Sequence, residues 1–200
     1  MKPFNELMLE ALSQVEIDKH MAKNTAIQFS KKDKHGNPKF KLRGNITFQG
    51  LKIAIENAKG DTRAGIDPDG YPWVSKMYMA YGYIKKTIGA DDEEIDVYIM
   101  DNEKSDKVFV VKQHAIEKVK KWPTDNCPKC KQHARDCSCP EFYDEDKLFL
   151  GADSKEEVVK AYNKQYNNNR FLGPIVELTI DELKKLIGSG NKVEIPFDKE

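Results

Sequence analysis

No stretch of this 200-residue chain approaches the ~20 consecutive apolar residues that a membrane span needs. Its first residues, Met1-Lys-Pro-Phe-Asn-Glu-Leu-Met8, lack the apolar core of a secretory leader. Net charge is also missing: 33 basic residues balance 33 acidic ones. No global field therefore draws the protein to nucleic acid or to a membrane surface. Cysteine is scarce, with four in all, and every one lies between Cys127 and Cys139. They form a local device, not a disulfide framework for the fold. There is no internal repeat and no low-complexity segment. The expectation is a soluble, cytoplasmic protein, long enough to bury a core as one domain with appendages.

The chain is organised around Tyr81-Gly-Tyr-Ile-Lys-Lys-Thr-Ile-Gly-Ala-Asp-Asp-Glu-Glu-Ile-Asp-Val97. Its first half reads as a strand that turns. Its second half sets Asp91, Asp92, Glu93, Glu94 and Asp96 within six positions. Such a cluster is either a solvated acidic turn or a binding place for a hard divalent cation such as Mg²⁺. Ile84 and Ile88 before it, and Val97, Tyr98 and Ile99 after it, pin the acids to the edge of a core.

On either side the pattern predicts an N-terminal helix over Phe4 to Val15, from apolar residues at helical spacing. A hairpin follows, turning at Asp33 to Pro38, lined by Lys31, Lys32, Lys34, Lys39, Lys41 and Arg43 as a solvated edge. Alternation continues through Ile46, Phe48, Leu51, Ile53 and Ile55. Residues 56–65 read as a loop carrying Lys59 and Arg63, and Asp67-Pro-Asp-Gly70 as a turn. A short strand holds Lys76. Strands over Ile95–Met100 and Lys107–Gln113 are expected to pair as neighbours, and Ala115–Trp122 to form a short helix or turn. A strand is expected around Leu148–Leu150. Capping boxes at Ser154–Glu157 and Thr179–Glu182 open two helices, to about Tyr166 and Ile187. The tail after Gly188 reads as loose, with Val193 and Ile195 candidates for a last strand.

The organising stretch resembles the signature of family I soluble inorganic pyrophosphatases: Tyr-Gly-Tyr-Ile, two positions, Thr, then Asp-x-Asp-Pro-x-Asp-Val. Two positions depart from it, Glu93 for the second Asp and Glu94 for Pro. The chain is similar, more closely, to a pyrophosphatase-like domain of bacteriophage and mobile-element proteins. The matching blocks are Ile55 to Gly65, Asp67 to Trp73, Tyr143-Asp-Glu-Asp-Lys-Leu-Phe-Leu-Gly151, Ser154 to Glu157 and Leu172 to Ile175.

This resemblance implies an α+β fold built on a small OB-type β-barrel with outer helices. It gives residues 50–187 as the pyrophosphatase-like domain, with a Cys-rich insert at 123–141. Residues 1–49 form a helix-and-hairpin extension and 188–200 a tail. It implies hydrolysis of a phosphoanhydride, by default inorganic pyrophosphate, by water activated on more than one Mg²⁺. Asp91, Glu93, Asp96, Asp144 and Glu145 would be the metal carboxylates, with Glu93 also a possible base at the attacking water. Arg63 (or Lys59), Lys76, Tyr81, Lys147 and Tyr166 would hold the phosphoryl oxygens. The family's lysine after the second tyrosine is Asn167 here. Glu93 carries one methylene more than Asp, a displacement of ~1 Å that can cost ~10²-fold in rate. Singly, the tyrosines also suit core aromatics with a wet edge, and the lysines a solvated surface.

Cys127-Pro-Lys-Cys130 and Cys137-Ser-Cys139 place four thiols within thirteen positions. They suit a structural, tetrahedral Zn²⁺, with His133 as a substitute ligand. Otherwise they are reduced thiols in a loop. The expected partner is a small phosphorylated substrate, with no membrane partner and with nucleic acid disfavoured, in the cytoplasm (a host's, if phage-encoded). The N-terminal helix is a candidate contact for a homo-oligomer. A nucleotide or another diphosphate is the alternative substrate. A non-catalytic OB and zinc-knuckle module gripping single strands is the alternative function, opposed by carboxylates that repel phosphate unless metal bridges them.

Overall fold

The structure, a computed structural model, describes residues 42–66, 72–115, 126–127, 129–133, 136–166 and 171–197. The expected N-terminal helix, the hairpin turning at Asp33 to Pro38, the Asp67–Gly70 turn, most of the Ala115–Trp122 segment and Asn167 lie outside these residues.

Among the described residues nine strands and two α-helices follow one another: β1 (Gly44–Phe48), β2 (Leu51–Asn57), β3 (Thr62–Ile66), β4 (Pro72–Lys76), β5 (Ala80–Ile84), β6 (Asp96–Ile99), β7 (Lys107–His114), β8 (Tyr143–Leu150), α1 (Lys155–Tyr166), β9 (Leu172–Thr179) and α2 (Ile180–Gly188). Seven strands make one mixed sheet in the order β1-β2-β5-β6-β8-β7-β9, and β3 and β4 pair by themselves. β1 and β2 turn through Gln49 and Gly50, both at positive φ (44° and 90°), as a two-residue hairpin loop requires.

Alternation along the strands feeds two cores, one on each face. Val97, Val108, Val110, Leu148 and Leu150 join Phe48, Ile53 and the α2 residues Ile180 and Leu183. Tyr98, Phe109, Val111 and Phe149 join Tyr81, Met77 and the α1 residues Val158 and Tyr162. β7 is buried on both faces, which is why Val108–Val111 reads as an unbroken apolar run.

Four expectations are corrected. The sheet does not close into a barrel: no ladder among the described residues joins β1 to β9. Instead α2 packs Ile180 and Leu183 beside Phe48 and Leu51, filling the space that closure would otherwise have to fill. β6 and β7 are not neighbours, because β8 lies between them, parallel to β6 and antiparallel to β7. The 56–65 segment is not all loop: Thr62–Ile66 is a strand paired with β4. Among its described residues the tail is not loose. Val193 and Ile195 are each 4% exposed, held by Val193 N–H donating to Ile88 O (2.8 Å) and by Lys112 Nζ donating to Ile195 O, yet neither forms a strand.

Both predicted helix starts are present. At α2 the box is complete, with Thr179 Oγ1 accepting from Glu182 N and Glu182 accepting from Thr179 N. At α1, Ser154 Oγ accepts from Glu157 N (3.3 Å) while Glu157 reaches back to Asp153 N (2.8 Å).

Candidate functional site

Three neighbouring strands of the sheet supply the site. β5 pairs antiparallel with β6, setting Tyr81 opposite Tyr98, and β6 pairs parallel with β8, setting Asp96 opposite Lys147. The pairing of β5 with β2 depends on a glycine. A Cβ on Gly82 would lie 1.9 Å from Ala54 O, so the Gly of Tyr-Gly-Tyr-Ile is needed for β2 to approach β5.

The turn that carries the acids is tied off by Thr87. Its hydroxyl donates to Ile84 O (2.6 Å) and accepts from Ile95 N (3.0 Å). Within the turn Gly89 N donates to Glu93 O (2.6 Å) and Glu93 N to Asp91 Oδ1 (3.1 Å). Asp92 sits at φ +67° and pairs outward with Lys192 (2.8 Å).

At the junction of the strands, Lys147 Nζ donates to Asp96 Oδ2 and to Glu145 Oε2, the latter at 2.6 Å. Tyr81 OH donates to the same Asp96 oxygen at 2.5 Å. Arg63 lies over the Tyr81 ring, 5.0 Å from its centre. Gln113 Nε2 donates to Glu145 Oε1 (3.1 Å) and Gln113 accepts from Tyr162 OH (3.0 Å), which ties α1 to the cluster. Tyr166 meets the group through Tyr98, hydroxyl to hydroxyl at 3.0 Å. These tyrosines are core aromatics as well: Tyr98 packs on Tyr81 and Phe149 at 4.9 and 5.0 Å between ring centres.

One buried ammonium therefore faces two carboxylates. Burial alone would lower the Lys147 pKa, but Asp96 and Glu145 more than offset it, so the lysine stays charged. Burial pushes the Glu145 carboxyl up to about 7, helped by the charges of Asp96 and Asp144 and opposed by Lys147.

The two acidic blocks meet. Asp91, Glu94, Asp96, Glu145 and Asp146 all line one small cleft, with Gly89, Ala90, Ile95 and Val193 forming the rest. The carboxylates do not gather as closely as the cysteines do: among the described residues the cysteine group is the one set of three or more potential ligands near enough to share an ion. Other expected residues lie elsewhere. Lys59 is in an exposed ion pair with Asp101 (2.8 Å), so Arg63 is the cation that reaches the cluster. Lys76 is exposed on β4, and Asp144 is exposed on β8. Glu93 is exposed and does not line the cleft.

Glu56 was not foreseen. Burial raises its pKa, and the charges of Asp96 and Glu93 add to this while Arg63 and Lys147 oppose it. It sits where the β2–β5 register slips between Ile55 and Asn57, a bulge of the kind that re-aims side chains beside sites. The available signal was a carboxylate directly continuing the apolar run Ile53–Ile55.

The four cysteines come together as their spacing predicts. Their sulfurs all lie within 4.8 Å of one another, and none is in a disulfide. His133 stands outside the group, bridging to Asn126 at the base of the turn.

Residues 30–126 match the family model for inorganic pyrophosphatases. That match takes in β1 to β7 and the acidic turn, and it stops before β8, so Glu145 and Lys147 lie beyond it. Among solved structures, the chain is similar to an inorganic pyrophosphatase from Coxiella burnetii at 11% identity, covering 68% of this chain and 90% of that one with a TM-score of 0.35. No curated protein matches. No described helix is long and apolar enough to cross a membrane.

Proposed function

We propose that the protein hydrolyses a phosphoanhydride, with inorganic pyrophosphate as the substrate and Mg²⁺ as the cofactor. The observation that carries this reading is the meeting of Asp96 and Glu145, from two acidic blocks far apart in sequence, on the buried ammonium of Lys147. The family-model match over residues 30–126 supports it independently.

Asp91, Asp96 and Glu145 are the residues that would hold Mg²⁺. When bound, the metal lowers the pKa of water and neutralises charge on the phosphates. Arg63 and Lys147 are the proposed ligands of the phosphoryl oxygens, and Tyr81 donates its hydroxyl to the Asp96 carboxylate. Glu93, exposed and outside that cleft, is the proposed base, and Lys76, exposed on β4, and Tyr166, which reaches the cluster through Tyr98, are the further proposed phosphate contacts. A zinc ion on the four cysteines belongs to the same reading as a structural group.

Phosphate release from pyrophosphate and from a panel of nucleotides, with and without Mg²⁺, tests the proposal. Wild type should release phosphate from pyrophosphate only with Mg²⁺, and Asp96→Asn should do so about 10²-fold or more slowly. Release from nucleotides alone would shift the substrate. No metal-dependent release from any of them would end the hydrolase reading.

A further inference from the structure

Between Asn126 and Phe142 the buried described residues are Cys127 and Cys137 and no others. Among the described residues of this segment no hydrophobic core holds it, and small units of that kind need a staple. A tetrahedral Zn²⁺ with Zn–S bonds of about 2.3 Å sets its sulfurs about 3.8 Å apart. Cys127 Sγ and Cys139 Sγ are 3.9 Å apart, and all four sulfurs fall within 4.8 Å of one another. Both sulfurs of a disulfide would instead lie about 2 Å apart.

The backbone is arranged around the first pair. Lys129 N and Cys130 N both point at Cys127 Sγ, at 3.4 and 3.5 Å, and donors so placed favour a thiolate. Lys131 N donates to Cys127 O (3.0 Å) and Cys127 N to Gln132 O (2.8 Å), closing a tight turn with Lys131 at φ +64°. Cys130 is exposed, which leaves an entry path.

The second pair runs straight into the site. Cys139 precedes the 3-10 turn Pro140–Phe142, and β8 starts at the next residue. Phe142 N donates to Cys139 O (3.0 Å), Ala115 N donates to Phe142 O (3.0 Å), and the His114 ring lies 3.4 Å from Cys137 O. The cluster thus sits where the end of β7 meets the start of β8, six residues before Glu145 and eight before Lys147.

We infer that Cys127, Cys130, Cys137 and Cys139 hold one Zn²⁺ as thiolates, and that the ion fastens the leading end of β8 against the end of β7, so that zinc occupancy positions Glu145 and Lys147. The inference rests on the hydrolase reading only for the weight given to those two residues. Cross-linking the insert removes the entropy of a long loop that β8 must otherwise restrain by itself.

The test uses the full chain, purified without chelators. Zinc content should be one ion per chain. Co²⁺ added to zinc-free protein should give the intense visible bands of a tetrahedral thiolate site, and Cys130→Ser should lose them. Hydrogen exchange of the amides from Tyr143 to Lys147 should accelerate at least tenfold on zinc removal, while β1 and β2 stay unchanged. Absence of zinc, with no thiolate bands from Co²⁺, overturns the metal site. Stoichiometric zinc whose removal leaves Tyr143–Lys147 exchange unchanged overturns the anchoring role. None of these readouts depends on hydrolysis, so a failure here is distinct from failure of the proposed activity.

Discussion

Asp96 and Lys147 lie opposite each other in a parallel ladder, and the lysine's buried ammonium contacts the aspartate's carboxylate. Asp96 also accepts from Tyr81. Asp96→Asn keeps the shape and removes the charge. Phosphate release should fall about 10²-fold or more, the usual loss for a group that stabilises transition-state charge. Tyr81→Phe removes only the hydroxyl and should cost about 1.5 kcal/mol of stability, as expected for a hydrogen bond to a charged group, with a smaller loss of rate. Equal rates for Tyr81→Phe and wild type, together with unchanged stability, would reduce Tyr81 to a packing residue.

Glu56 gives a pH prediction. Its folded carboxyl titrates above the ordinary 4.5, chiefly because it is buried. The folded state therefore binds its proton more tightly than the unfolded chain does, and stability falls as pH rises through the carboxylate range. Glu56→Gln should be more stable than wild type near neutral pH and should lose that advantage below about pH 4. Urea midpoints measured from pH 3.5 to 8 in chelator decide it. Parallel curves for the two proteins would show that Glu56 pays no desolvation penalty.

Gly82 is the most constrained glycine in the signature. Gly82→Ala drives a methyl into Ala54 O and should destabilise by about 3 kcal/mol or more, because backbone must move. Gly44 has nothing within 4 Å of its would-be Cβ. Gly44→Ala should change stability by about 0.5 kcal/mol or less. Thermal melts of the pair measure the contrast.

Removing the chain from Asn191 onward should lower stability by about 3 kcal/mol, the scale of two buried aliphatic side chains. It also strips Lys112, 2% exposed at its side chain, of Ile195 O and leaves it to Asp146. Lys192→Ala, which breaks only the exposed pair with Asp92, should cost about 0.5 kcal/mol or less. An unchanged urea midpoint on truncation would mean the tail contributes nothing to the fold.

The acidic signature, both helix starts and the cysteine group were legible because each is a local pattern. A capping box closes within four residues, and a thiolate turn within a few more. The sequence also placed Glu145 and Lys147 as companions of the acidic turn, through the resemblance of the Tyr143–Gly151 block. Glu56 was not legible, because its role comes from a register slip against β5 that β2 alone does not encode. The docking of Val193 and Ile195 was missed for the same reason: two apolar residues in a polar tail carry no periodicity.

The sequence by itself determined the chemistry available: carboxylates at a turn, cations and tyrosines to face them, and four thiols at metal spacing. Only the tertiary structure decided which of these meet. It inserted β8 between β6 and β7, and that placement brings Lys147 to Asp96. It took Arg63 into the cluster and left Lys59 with Asp101, and it filled the open side of the sheet with α2 instead of closing a barrel. Strand order is set by which faces can be buried together across the whole sheet, a long-range balance that no single strand's residues specify.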